Sequence, residues 1–116
     1  MKLSIIIPAY NEEKLISRCL KSILEADIPA EHEIIVVNNA STDKTKAVAQ
    51  RFAGVKVVDE QNKGLTKAHQ AGFNASSGEI VAYFDADTIV PKDWFIQALA
   101  IFAKDNPKVV GVSGAY

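Results

Sequence analysis

Two aspartates flanking one small residue, Asp85 and Asp87 around Ala86, close the apolar run Ile80-Val81-Ala82-Tyr83-Phe84. Side chains two apart on an extended strand project to the same side, so both carboxylates can face one cation or one diphosphate. A diphosphate does not rest beside ionised carboxylates without a cation between them, and Mg2+ is commonly held by one or two carboxylates together with phosphate oxygens. The pair also has a plain explanation, because Asp is frequent wherever a strand turns into a loop. Further polar groups follow the other apolar runs: Tyr10, Asn11 and Glu12 the first, Asn38, Asn39, Ser41 and Asp43 the second, Asp59, Asn62 and Lys63 the third. Tyr10 can lie against a base, Asn39 can pair with its edge, and Lys63 can neutralise phosphate charge. Each has an ordinary use as well: Tyr10 as a half-buried filler, Asn38, Asn39 and Ser41 as caps, Lys63 as a solvated loop residue.

The elements that must position these residues alternate between strand and helix. Leu3 to Ile7 reads as a buried strand closed by Pro8. Asn11 is suited to cap the next helix, with Glu12 and Glu13 in its first turn, where the dipole favours negative charge. Leu15, Ile16, Cys19, Leu20, Ile23 and Leu24 recur at helical spacing and predict one stripe packed on a sheet. Ile34 to Val37 is a second strand, followed by a helix with Ala47, Val48 and Phe52 inward. Val55 to Val58, interrupted by Lys56, suits a position near the sheet edge. Leu65, Ala68, Ala71, Gly72 and Ala75 mark a closely packed helix ending at Ser76-Ser77-Gly78, and the Asp85/Asp87 strand follows. Pro91 falls in the first turn of a helix carrying Trp94, Phe95, Ala98, Leu99 and Phe102, and Val109 to Val112 is a fifth strand. The pattern predicts an α/β fold: a mostly parallel sheet of about five strands with helices on both faces, Rossmann-like.

In such a sheet all strand-to-helix loops share one rim. That rim carries every polar group named above, while the opposite loops, Pro29-Ala30 and Ser76-Ser77-Gly78, are plain. A purely structural domain has no need to load one edge, so a ligand-binding rim is expected.

The totals narrow the classes. A chain of 116 residues that is 48% hydrophobic suits one compact domain with a core. A formal net charge of −1 gives no reason to expect nucleic acid as a partner. The single cysteine, Cys19, excludes an intrachain disulfide and reads as a reduced core residue. Leu3 to Ile7 is too short for a signal h-region, and no run reaches membrane-spanning length. A cytoplasmic setting is expected, with attachment to the cytoplasmic face of a membrane left open.

Four stretches taken together resemble a known family: Ser4-Ile5-Ile6-Ile7-Pro8-Ala9-Tyr10-Asn11-Glu12-Glu13, Val36-Val37-Asn38-Asn39-Ala40-Ser41-Thr42-Asp43, Asn62-Lys63-Gly64 with Gly72, and Gly78-Glu79-Ile80 leading to Asp85-Ala86-Asp87. Their order and spacing are similar to family 2 glycosyltransferases of the GT-A fold, over nearly the whole chain. The resemblance implies an inverting transfer of a sugar from a nucleotide-diphosphate donor, with UDP the first expectation and GDP or dTDP the alternatives. It implies that Pro8, Tyr10, Glu12 and Asn39 lie around base and ribose, with Asn38, Lys63, Asp85 and Ala86 also at the nucleotide. It implies that Asp87, with Asp85, ligates Mn2+ or Mg2+.

Three departures accompany the resemblance. Asn38 and Asn39 stand where two Asp residues are common, which leaves the base identity open. His69-Gln70 stands where an Arg-Asn pair is common, and His69 is expected to be a surface or packing residue. The family's general base lies beyond the matched region, so residues 1–116 are expected to be the nucleotide-sugar-binding half, inactive alone, with the acceptor half absent and a sheet edge open to homodimer pairing. The alternative within this fold is a non-catalytic nucleotide-binding or assembly module. A phosphoacceptor receiver domain fits the length but leaves the Asp pair unexplained and lacks a Lys after Val112. A dinucleotide-binding domain lacks Gly-x-Gly-x-x-Gly after the first strand.

Overall fold

The computed structural model describes the backbone of residues 2–105 and 111–113 and the side chains of residues 2–101. Its elements, in chain order, are β1 (Leu3–Ala9), α1 (Ile16–Glu25), β2 (His32–Asn38), α2 (Thr45–Gln50), β3 (Val55–Asp59), α3 (Leu65–Ala75), β4 (Ile80–Tyr83), α4 (Trp94–Asp105) and β5 (Gly111–Ser113). The sheet has the order β3-β2-β1-β4-β5, and every pairing is parallel. The expected five-stranded parallel sheet is therefore present, with β3 at an edge as the Lys56 interruption suggested. The order is that of the Rossmann type; the 2-1-3-4-5 order that a receiver domain requires is excluded.

Two apolar layers enclose the sheet. Leu3, Ile5, Ile7, Ile34, Val36, Ile80 and Ala82 pack with Ile16, Cys19, Leu20 and Ile23 of α1, Ala49 of α2 and Phe95 of α4. Ile6, Ile35, Val37 and Val81 pack on the other side with Ala68 of α3. Gly72 lets α3 approach closely: a Cβ there would run into the Ile6 side chain and come within 3.1 Å of Val37 Cγ2. Gly78 is tighter still, because a Cβ would lie 2.7 Å from Ser4 N and 2.9 Å from Lys2 O, both backbone atoms.

Several expectations need correction. Pro8 does not close β1 but lies within it, opposite Val37 of β2. Backbone groups alternate in direction along a strand, so the N–H that proline lacks would have faced β4. There the ladder runs only from Leu3–Ile80 to Ile6–Tyr83, with a last bond from Phe84 N to Ile6 O at 3.0 Å. The next rung would need an N–H at position 8, so proline is tolerated in a central strand and ends the β1–β4 pairing. Asn11 does not cap α1, which begins at Ile16 with no side-chain cap. Leu15 and Leu24 are exposed rather than part of its buried stripe, as is Leu65 at the start of α3, 60% exposed. At α2, Val48 and Phe52 pack against the core as expected, together with buried Thr45 and Ala49, while Ala47 is exposed. Pro91 precedes α4, its carbonyl accepting from Trp94 N. The Phe102 side chain and residues Val109 and Val110 lie outside the described residues.

Candidate functional site

The direction of chain progression reverses between β1 and β4. From β1 the chain moves outward to β2 and β3, then α3 carries it back across to β4. Open α/β sheets bind ligands outside the carboxyl ends of the strands at such a switch point. Here a cleft of about 410 Å3 opens there, lined by Pro8, Tyr10, Glu12, Asn39, Lys63, Asp85, Ala86 and Asp87 along with Ala9, Gly64, Leu65 and Ala68. The early end of the β1–β4 ladder at Pro8 gives it room.

Asp85 and Asp87 are placed by a turn, not by strand alternation. β4 ends at Tyr83, and the Asp85 carbonyl accepts from Thr88 N at 3.0 Å, closing a β-turn with Ala86 and Asp87 at its centre. Asp is favoured at the first position of such a turn. Ala86 and Thr88 are buried beneath it while both carboxylates stay exposed, which explains why a small residue separates them. Three aromatic rings brace the turn from below: Phe84 lies 4.9 Å from Trp94 and 5.7 Å from Phe95, all edge-on. Ser22 Oγ of α1 ties down the far side by accepting from Val90 N at 2.9 Å.

Glu12 enters the cleft from the loop after β1. Its backbone N–H donates to Thr45 Oγ1 at 2.9 Å, and its carbonyl accepts from the start of α1, so its position is fixed from two sides. Its Oε2 is buried without a hydrogen-bond partner. Burial, and then the charges of Asp87, Asp43 and Asp85, hold its carboxyl above the usual 4.5. An unpaired acceptor among carboxylates is costly on its own and is relieved by a cation or a hydroxyl donor. Glu12 thus lines the same cleft as the two exposed carboxylates of the turn, but among the described residues no three such groups come close enough together to hold a metal ion by themselves, so an ion there would take most of its ligands from outside the protein.

The β1 and β2 loops are laced together. Asn11, at φ +51°, accepts from Thr42 N at 2.8 Å, and its own N–H donates to Ser41 Oγ at 3.0 Å. Asp43 accepts from Thr45 N at 2.9 Å, from Thr45 Oγ1 and from Glu13 N. Despite its desolvation, these donors hold the Asp43 carboxyl below its ordinary range. Sequence reading gave Asn11 and Ser41 to caps; they serve a cross-loop clasp instead, and no short-range pattern marks partners 30 residues apart.

Asn39 is buried, and its amide is fully engaged. Nδ2 donates to Glu60 O at 3.1 Å and Asn62 O at 2.9 Å, and Oδ1 accepts from Gly64 N at 2.9 Å. Two carbonyls and one N–H around it fix which end of the amide points where. It lines the cleft and organises the loop that carries Lys63. Asn38 does not join the cleft: its Nδ2 donates to Asp59 Oδ1 at 3.0 Å, and Asp59 is bound at 2.7 Å by Lys46. His69 packs at 4.4 Å from the Tyr83 ring and is absent from the cleft lining, as its packing reading expected. Lys63 and Tyr10 meet each other: Nζ donates to the Tyr10 hydroxyl at 3.0 Å and lies 4.1 Å from the ring centroid.

Fold and cleft together define a Rossmann-like α/β domain of the GT-A kind. The profile of glycosyl transferase family 2 matches residues 4–116. The chain is 30% identical over 114 residues to the glycosyltransferase AglE of Haloferax volcanii, a match covering 93% of this chain and 38% of AglE. The crystal structure of Staphylococcus aureus TarS 1-349 in complex with UDP-GlcNAc superposes with a TM-score of 0.83 at 30% identity, covering 91% of this chain and 32% of that one. A mannosyltransferase of Pyrobaculum calidifontis in complex with GDP-Man and Mn2+ gives 0.82 at 34% identity, covering 87% and 32%. The chain belongs to glycosyl transferase family 2, and it spans between about a fifth and two fifths of the length of the first curated relatives it matches.

Proposed function

We propose that this chain is the donor-binding half of an inverting glycosyltransferase, gripping a nucleotide-diphosphate sugar through Mn2+ or Mg2+ on Asp85 and Asp87. The observation that carries this reading is the gathering of Asp85, Asp87, Glu12, Tyr10 and Lys63 about one cleft at the sheet's switch point. In it Asp87 ligates the cation with Asp85 beside it, and Pro8, Tyr10, Glu12, Asn39 and Ala86 shape the nucleoside end. A cation held there would supply charge neutralisation to the diphosphate and so would favour the nucleotide as a leaving group. No residue of the cleft is given the role of general base. The UDP-GlcNAc complex of TarS and the GDP-Man and Mn2+ complex of the Pyrobaculum mannosyltransferase support a nucleotide sugar and a divalent ion. UDP is the first donor nucleotide of this reading, with GDP and dTDP the alternatives.

Isothermal titration of UDP, GDP and dTDP with Mn2+ tests it. One of them binds, chelation of the metal abolishes binding, and Asp87→Ala weakens it about tenfold or more. Binding by none, or affinity untouched by Asp87→Ala, overturns the reading. The setting assigned is the cytoplasm or the cytoplasmic face of a membrane. No helix of the described residues is long and apolar enough to cross one. Pairing of two copies through an exposed sheet edge belongs to the same reading and is checked by sedimentation.

A further inference from the structure

The cleft is lined by three carboxylates, Glu12, Asp85 and Asp87, and among the described residues lining it Lys63 is the one cation. Yet Lys63 is not paired with any of them. The ion pairs among the described residues are Lys2–Glu33 and Lys46–Asp59. Its ammonium rests on Tyr10 instead, bonded to the hydroxyl and lying over one face of the ring. A ring face in the cleft and the cleft's one described cation are thus in contact with each other. The backbone on either side is pinned, since Asn62 O and Gly64 N are both bonded to the Asn39 amide. Gly64, at φ +141°, lets the chain turn there. What remains free to move is the Lys63 side chain, exposed and on a flexible four-carbon stem.

We infer that Lys63 is a specificity-determining residue that makes the cleft select nucleoside diphosphates over nucleosides. A base reaches that face of Tyr10 only when the ammonium leaves it. A nucleoside offers the displaced ammonium nothing, whereas a diphosphate offers an anionic partner within the same cleft. Selection thus arises from a contact present before any ligand binds, and it rests on the donor-site reading above.

Ligand-detected NMR titration of uridine and UDP, each with Mn2+, separates the possibilities, with guanosine and GDP run in parallel. For Lys63→Met, nucleoside affinity rises about two- to fivefold, the worth of an exposed cation–π contact. Diphosphate affinity falls about tenfold, as for loss of a hydrogen bond to a charged group. Tyr10→Phe removes the hydroxyl but keeps the ring, and moves the nucleoside in the same direction by less. Lys63 is exposed, so the variant folds, and opposite signs for the two ligands are not produced by general loosening. If wild type binds the diphosphate but Lys63→Met leaves nucleoside affinity unchanged or lowers both, the selection is overturned while the donor site stands. If wild type binds no diphosphate, the donor-site reading falls and takes this inference with it.

Discussion

Asn39 shows how one side chain can set a cleft wall through the backbone it holds. At 5% exposure it has exchanged water for two carbonyls and an N–H of the 60–64 loop. A carboxylate there would accept from Gly64 but would face Glu60 O and Asn62 O with no hydrogen to give. Asn39→Asp therefore lowers unfolding free energy by about 2–4 kcal/mol, the cost of two buried acceptors left unpaired, read by urea titration. A loss under about half a kcal/mol would show that water replaces both bonds. Glu12 works in the opposite sense. Its folded pKa is raised, so the unfolded chain ionises first as pH rises, and stability is lost from the usual 4.5 upward. Glu12→Gln therefore raises Tm at pH 7, the gain vanishing in acid where both states hold the proton, while nucleotide–metal affinity drops. Equal Tm at neutral pH would mean the orphan oxygen finds solvent after all. Ala40 lies at φ +59°, uncommon for a residue with a Cβ. Ala40→Gly gains about 0.5–1 kcal/mol in thermal or urea unfolding, provided the loop keeps this conformation.

At the scale of elements, the strands were legible because buried parallel strands are written as apolar runs: Ser4-Ile5-Ile6-Ile7, Ile34 to Val37, Ile80 to Ala82. The rim was legible as well, since the loops loaded with polar residues do converge, and the Asp85/Asp87 pair does face the cleft. Element boundaries were not. Whether Pro8 can sit inside a strand depends on where its neighbour stops pairing, which no local pattern states. Asn11 has the chemistry of a cap, but cross-loop partners claimed it. Leu15, Leu24 and Leu65 fit helical periodicity, yet all three are exposed, Leu65 at the cleft. Lys63 and Tyr10, 53 residues apart, were read as separate ligand contacts; their mutual contact has no sequence signal. The glycines can be tested at this scale. Gly78→Ala forces the α3–β4 connection off the β1 backbone and costs about 2–3 kcal/mol, whereas Gly54→Ala, with open space around it, costs only the φ strain at +81°, about 1–2 kcal/mol. Equal costs would show that the packing at Gly78 yields readily.

The molecule as a whole has two polar poles. Opposite the cleft, Glu33 accepts from Ser4 Oγ and Ser77 N, both at 2.6 Å, and Gly78 N donates to Ser4 Oγ at 2.8 Å. Although burial works against it, these donors, aided by Lys2, hold the Glu33 carboxyl below its usual 4.5. Its contribution is therefore present above that value and disappears as acid titrates it in the folded chain. Glu33→Gln loses about 1–3 kcal/mol at neutral pH, and the difference from wild type narrows on acidification, read from paired denaturation curves. A pH-independent difference would assign the cost to geometry alone. One end of the sheet is thus cinched by donors converging on a single carboxylate, and the other is kept apart by a ring that cannot donate. Because Pro8 withholds its hydrogen, the Phe84 carbonyl is denied the rung β1 would have offered. That rung cannot zip the mouth shut: the parting of the two strands is written into the covalent chemistry of one residue.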